Sequence, residues 1–151
     1  MKVSHIEIKK RQREGYPGII IYADIIIDGT SLFENIAHDF DFVSCLGWGS
    51  EEFQELQINR LLLKTPSDFT DNQNSIYICP ACADLGCGAI TVNIEIKEDT
   101  VTWSNLGNQD NHSDKLTYFD KVGNFIFIRR NYEEVISASR GIGSYKWPWD
   151  K

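Results

Sequence analysis

The sequence predicts a single α+β domain, a mainly antiparallel sheet of about five to seven strands with two or three helices. Three observations carry that expectation. Ile90, Val92, Ile94 and Ile96 alternate with Thr91, Asn93, Glu95 and Lys97, the period of a strand with one face on a core and one in water. Residues 19–27 are apolar almost throughout and rich in β-branched side chains, which suits a strand covered on both faces. Ser50, followed by Glu51 and Glu52, opens a stretch with apolar residues at helical spacing. A chain of 151 residues is the usual size of one domain, and 42% hydrophobic content is enough to offset the entropy of ordering it.

In chain order, residues 3–9 alternate as a first strand, and residues 12–18, with Gly15 and Pro17, turn the chain into the strand over 19–27. Asp28-Gly29 ends that hairpin. Ser31 with Glu34 is a capping-box pattern, predicting a short helix over 32–38 with Leu32, Phe33 and Ile36 inward. Residues 44–50 form a tight loop in which Gly47 and Gly49 flank Trp48. The longest helix then runs from the Ser50 cap to about residue 64, stopping before Pro66. Phe53, Leu56 and Leu63 mark its inward stripe, Leu61 and Leu62 widen it, and Arg60 falls within it.

Residues 67–75 are polar and turn-rich, a surface loop by composition. A strand-like run from Ile76 leads into the cysteine-bearing stretch and then the alternating strand already described. Glu98-Asp99 turns that strand back into residues 101–103. Residues 105–115 read as a second polar loop, residues 117–119 and 124–129 as the last strands. Asn131 with Glu134 caps a final helix carrying Tyr132, Val135 and Ile136, released at Gly141.

The formal net charge is −7, and its placement is uneven. Residues 31–59 hold Glu34, Asp39, Asp41, Glu51, Glu52 and Glu55 and no Lys or Arg, whereas the first 13 residues carry Lys2, Lys9, Lys10, Arg11 and Arg13 against Glu7. An acidic face repels phosphate backbones, so direct nucleic-acid binding is not expected. Two readings remain for the segment, a solvated surface or a protein-binding one. The first ten residues lack the apolar core of a secretory signal, and no apolar run is long enough to span a bilayer, so no membrane partner and a cytoplasmic location are expected.

Catalytic patterns are missing: there is no phosphate-cradling loop, no dinucleotide fingerprint and no nucleophile elbow. Chemistry concentrates instead at Cys79, Cys82 and Cys87, three of the chain's four cysteines, spaced C-x2-C-x4-C. In a reducing compartment three readings stand side by side. The three thiolates can gather around zinc, with Cys45, Asp84, His38 or His112 as the fourth ligand. Cys79-Pro80-Ala81-Cys82 has the spacing of a redox pair but not the surrounding βαβ pattern. Cysteine is also a common small packing residue.

Leu46-Gly47-Trp48-Gly49, a helix ending Arg60-Leu61-Leu62-Leu63, the run Cys79-Pro80-Ala81-Cys82-Ala83-Asp84-Leu85-Gly86-Cys87-Gly88-Ala89, and Val101-Thr102-Trp103-Ser104 together resemble a sparsely characterised family of small bacterial cytosolic proteins, some loosely labelled oxidoreductases. That pattern has Pro where this chain has Cys45, so the resemblance does not imply Cys45 as a shared ligand. In general character the chain is also similar to immunity proteins that neutralise bacterial toxin domains, including those of contact-dependent growth inhibition systems. The second resemblance implies a protein-binding inhibitor facing a basic toxin domain such as a nuclease. Its surface would comprise Glu34, Asp39, Phe40, Asp41, Phe42, Trp48, Glu51, Glu52 and Glu55, with acids steering encounter and aromatics anchoring the interface. The alternative is a metal-binding or thiol-dependent enzyme using the cysteine cluster.

Overall fold

The β-branched run becomes β2 (Ile20–Ile27), which pairs antiparallel with β1 (Ile6–Arg13) from Ile6↔Ile27 to Arg13↔Ile20. The structure, a computed structural model, describes residues 2–16, 18–69, 71–81, 88–109, 116–119 and 123–150, with Asp39 described by its backbone. The first ladder extends past the expected end of the strand at residue 9, because the Arg13 guanidinium is held by the Tyr16 carbonyl and the Asp41 carboxylate. β3 (Thr30–Ser31) completes a sheet ordered β1-β2-β3. A second sheet holds β4 (Val43–Ser44), β5 (Gln73–Ile78), β6 (Ala89–Ile96), β7 (Thr100–Gln109) and β8 (Leu116–Tyr118) in that order, and β9 (Phe125–Ile128) also pairs with β7. The architecture is therefore α+β with antiparallel sheets, nine strands among the described residues.

One backbone bond joins the two sheets at each end, with side-chain bonds from the Ser44 hydroxyl to Ala23 O at 2.5 Å and from the Tyr77 hydroxyl to Asp24 beside the first. The Ala23 amide donates to the Leu46 carbonyl at 2.9 Å, and the Ser4 amide to the Ile126 carbonyl at 2.7 Å. Hydrogen bonding thus runs in a ring through β1, β2, β4, β5, β6, β7 and β9.

The Ser31 hydroxyl accepts from the Glu34 amide at 3.2 Å, as the capping pattern implies, but the helix it starts is one π-helical turn, Phe33–Ala37, followed by a 3-10 turn, His38–Phe40. Leu32 and Ile36 are buried, and Phe33 is partly buried against the core with the Arg11 guanidinium 4.3 Å from its ring centre. Helix α1 (Glu51–Leu61) is capped by the Ser50 hydroxyl, which accepts from the Phe53 amide at 3.2 Å. It stops before residue 64 because Leu63 turns left-handed at φ 58°. Bonds from the Leu63 amide to Arg60 O at 3.1 Å and from the Lys64 amide to Asn59 O at 2.8 Å then close the C-terminus in a Schellman motif.

Four expectations need correction. The inward face of α1 is Gln54, Gln57, Ile58 and Leu61 with Arg60 beside them, while Leu56 is 51% exposed and Leu63 37%. Polar residues can face inward here because their partners lie elsewhere in the chain: Gln54 Nε2 donates to Gly49 O and Ser144 O at 3.0 and 2.6 Å, and Gln54 Oε1 accepts from the Gly141 amide at 2.8 Å. Residues 73–75 are the buried start of β5 rather than surface loop, with the Asp68 carboxylate accepting from the Ser75 amide and hydroxyl. Likewise β7 continues through residues 105–109, and Thr91, expected in water, is buried with its hydroxyl on Gln73.

Helix α2 (Arg129–Ser137) starts directly from β9, two residues before its expected Asn131 cap, with the Arg129 amide on the Asp99 carbonyl at 2.9 Å. Tyr132 and Ile136 point inward as expected. Trp103 and Phe127 meet edge to face at 5.4 Å, Tyr132 stacks on Phe127 at 5.7 Å, and the Tyr132 hydroxyl donates to Leu61 O at 2.7 Å. One aromatic cluster therefore ties α2 to the sheet and to the end of α1.

Candidate protein-binding face

Two of the acids of residues 31–59, Glu34 and Asp41, have partners in the basic first strand that composition alone places far away. Arg11 of β1 pairs with Glu34, and Arg13 grips both carboxylate oxygens of Asp41 at 3.1 and 2.6 Å. The hydrogen bonds from Arg13 hold the Asp41 carboxyl below its ordinary range. Glu55 pairs with Arg140, whose bond lowers the Glu55 carboxyl in the same way. Asp39 lies on the 3-10 turn, and its side chain is outside the described residues. Arg11 is fixed from below as well: its Nη1 lies 3.5 Å from the buried Asp24 carboxylate, which accepts from the Tyr77 hydroxyl at 2.8 Å and from Ser31. Asp24 was invisible as a site residue because it sits within an apolar strand, opposite Lys9 in the ladder.

The expected aromatic anchors are also placed differently. Trp48 is 2% exposed and donates its indole N–H to Ser44 O at 2.7 Å, and Phe42 is buried too. Phe40 stacks on Phe42 at 5.6 Å and meets Phe119 edge-on at 6.3 Å. Trp48 and Phe42 are core, since a ring without exposed surface cannot fill a partner's pocket. The exposed aromatics near α1 come instead from the tail. Trp147 packs against Phe53 and Trp48 at 4.9 and 5.7 Å, and Trp149 stacks parallel on Trp147 at 5.1 Å while remaining 47% exposed. The signal in the sequence was Trp147-Pro148-Trp149 itself, which the charge argument passed over.

Glu51 and Glu52 remain exposed, with no ion pair among the described residues. With Ser50, Glu55, Leu56 and Asn59 they line an open concavity of about 800 Å³ along the outward side of α1, where the only cation paired with a lining acid among the described residues is Arg140, on Glu55. The helix behind it is pinned by the bonds of Gln54 and by Arg60, which donates to Ser75 O at 2.9 Å and lies 3.4 Å from Asp68. The arrangement is an acidic surface around one half-exposed leucine on a rigid support.

Of the cysteine cluster, Cys79 is half-buried at the end of β5, while Cys82 and Cys87, with the proposed ligands Asp84 and His112, lie outside the described residues. Among the described residues, no group of three or more His, Cys, Asp or Glu side chains is placed to hold a metal ion. Cys45 is fully buried, its thiol facing Ser75 O at 3.6 Å and pushed up to about 11 by desolvation. Its amide bonds Ile76 O, three residues before Cys79, which by strand rise is about 10 Å away. That spacing takes Cys45 out of reach as a fourth ligand beside Cys79. His38 is exposed on the 3-10 turn.

No protein-family model, curated protein or solved structure matches the chain. Among the described residues no helix is long and apolar enough to cross a membrane.

Proposed function

We propose that this chain is a protein-binding inhibitor of the immunity type, which docks a basic toxin domain, such as a nuclease, on the outward face of α1 in the cytoplasm. The observation that carries this reading is the concavity around Leu56 lined by Glu51 and Glu52, which have no ion pair among the described residues, with Glu55 at its side already held by Arg140. Unpaired surface acids raise the encounter rate of a basic partner, and a half-exposed apolar residue among them gives the contact a dry centre. Glu34 and Asp41 are already neutralised by Arg11 and Arg13, so they contribute to the fold more than to steering.

The test is co-expression and binding with the product of the adjacent gene, the natural source of a cognate toxin. The parent chain is expected to protect the host and to associate quickly at low salt. The double variant Glu51→Lys, Glu52→Lys changes only exposed side chains and is expected to associate roughly ten-fold more slowly, with a weakened salt dependence. Association at the parent rate and salt dependence would sink the proposal.

A metal- or thiol-dependent enzyme using Cys79, Cys82 and Cys87 is the second reading, favoured by the pairing of Ile78 with Ala89, the two positions that flank the cysteine-bearing stretch in sequence. About one equivalent of zinc in purified protein, with a melting temperature lowered by chelator, supports it. Metal-free protein with an unchanged melting temperature removes the zinc form of this reading.

A further inference from the structure

We infer that the cleft between the start of β2 and the C-terminal tail receives one large apolar side chain of a basic protein, an anchor flanked in the partner by lysine or arginine. The inference rests on the reading of α1 as the docking face and adds to it the place where the partner is held. The cleft has a volume of about 310 Å³, with walls from Ile19, Ile21, Trp48, Trp147 and Pro148. Ligand pockets run from about 300 to 1,000 Å³, so this one has room for a side chain rather than a large cofactor.

Its polar groups are largely spoken for. The Trp48 indole N–H is given to Ser44 O, the Trp147 amide to the Asp150 carboxylate at 2.9 Å, and the Gly143 amide to Gly47 O at 2.8 Å. An apolar occupant therefore costs little lost hydrogen bonding, whereas a polar one would find few free partners. The cleft has an exposed apolar edge at Ile19, which is 61% exposed. Lys146 and Asp150, one of each sign, also line the cleft, so its own charges balance.

The neighbouring helix decides the sign of the flanking residues. Phe53, in the first turn of α1, packs on Trp147, and Glu51 and Glu52 precede it on the same turn. A partner seated in the cleft and reaching over the first turn of α1 to its outward side thus meets two exposed carboxylates, which favours cations near its anchor.

The experiment is an amide-shift NMR titration of the full chain with acetyl-Lys-Lys-Trp-Lys-Lys-amide and with the same peptide carrying Ala at the centre. The Trp peptide is expected to bind at least ten-fold tighter, with shifts at residues 19–21 and 143–150. Ile19→Ser, at a rim position that leaves the core intact, is expected to reduce that ratio. Equal affinities, shifts confined elsewhere, or no binding by either peptide at millimolar concentration would overturn the inference. The α1 reading is measured separately by Glu51→Lys, Glu52→Lys: weaker binding of both peptides with the ratio kept supports it, and unchanged binding of both rejects it while the ratio still reports on the cleft.

Discussion

Arg60 is 3% exposed, and burying its charge costs desolvation that the fold offsets with Ser75 O, Gln57 and the Asp68 carboxylate. Arg60→Met is expected to cost about 3 kcal/mol, because it removes the cation paired with Asp68, which keeps only its Ser75 donors, and leaves Ser75 O with the weak Cys45 thiol contact. For a chain of this size that is a fall in melting temperature of roughly 10 °C. Adding Asp68→Asn should restore part of it, and a single variant melting within about 2 °C of the parent would show that the ion pair does not seat the helix.

Buried hydroxyls and a thiol make the second prediction at this scale. Desolvation raises the Cys45 thiol from 9.0 to about 11 and raises Tyr22, Tyr77 and Tyr132 above the ordinary tyrosine value, with Asp24 adding to the rise at Tyr22 and Tyr77. In each case the unfolded chain loses its proton at lower pH than the folded one, so stability is present in full below pH 9 and declines as pH rises through the folded values. Melting temperature should therefore hold to about pH 9 and fall between pH 9 and 11, with the tyrosinate absorbance of the three buried tyrosines, half of the chain's six, appearing only together with unfolding. Absorbance of all six tyrosinates while the protein stays folded would contradict this.

At the scale of elements, Leu63 closes α1 in a conformation that costs an L-residue about 1 kcal/mol and suits glycine. Leu63→Gly keeps the Schellman bonds and loses a side chain already 37% exposed. It is expected to raise the melting temperature by about 2–4 °C, and a lower value would mean that the leucine contact outweighs the strain.

The elements best read from sequence were those whose signal is local: the β-branched run of β2, the Ser50 cap of α1, the alternation of β6. Those misread depend on partners far along the chain. Residues 73–75 look like loop until Asp68 and Thr91 supply their hydrogen bonds, and Gln54 looks solvated until residues 141 and 144 come to it. The proposed binding face was half legible for the same reason. Glu51 and Glu52 could be read directly, but the pairing of Glu34 and Asp41 with β1 could not, and neither could the burial of Trp48.

At the scale of the whole molecule, three stretches of backbone converge where the tail crosses the sheet. A Cβ on Gly143 would lie 1.8 Å from Ile21 O and 2.8 Å from Gly47 O, so no side chain fits there. Gly143→Ala is expected to cost about 1–3 kcal/mol by prising the tail away and to expose Trp147, seen as a red-shifted tryptophan emission. A variant with parent emission and stability would mean that the tail can shift without cost.

The single backbone bonds that close the ring have a dynamic consequence. A ladder opens only by breaking several bonds together, whereas the Ser4–Ile126 seam has one backbone bond and the Ala23–Leu46 seam one backbone bond with the Ser44 and Tyr77 hydroxyls beside it. Native-state exchange is expected to report the Ser4 amide opening first and the Ala23 amide before those of β6. Ile19 and Ile21 belong to the hairpin, while Trp147 belongs to the tail. Breathing at the Ala23 seam would thus set the width of the apolar cleft, and an occupant bridging its two walls would slow exchange at Ala23, an amide it never touches.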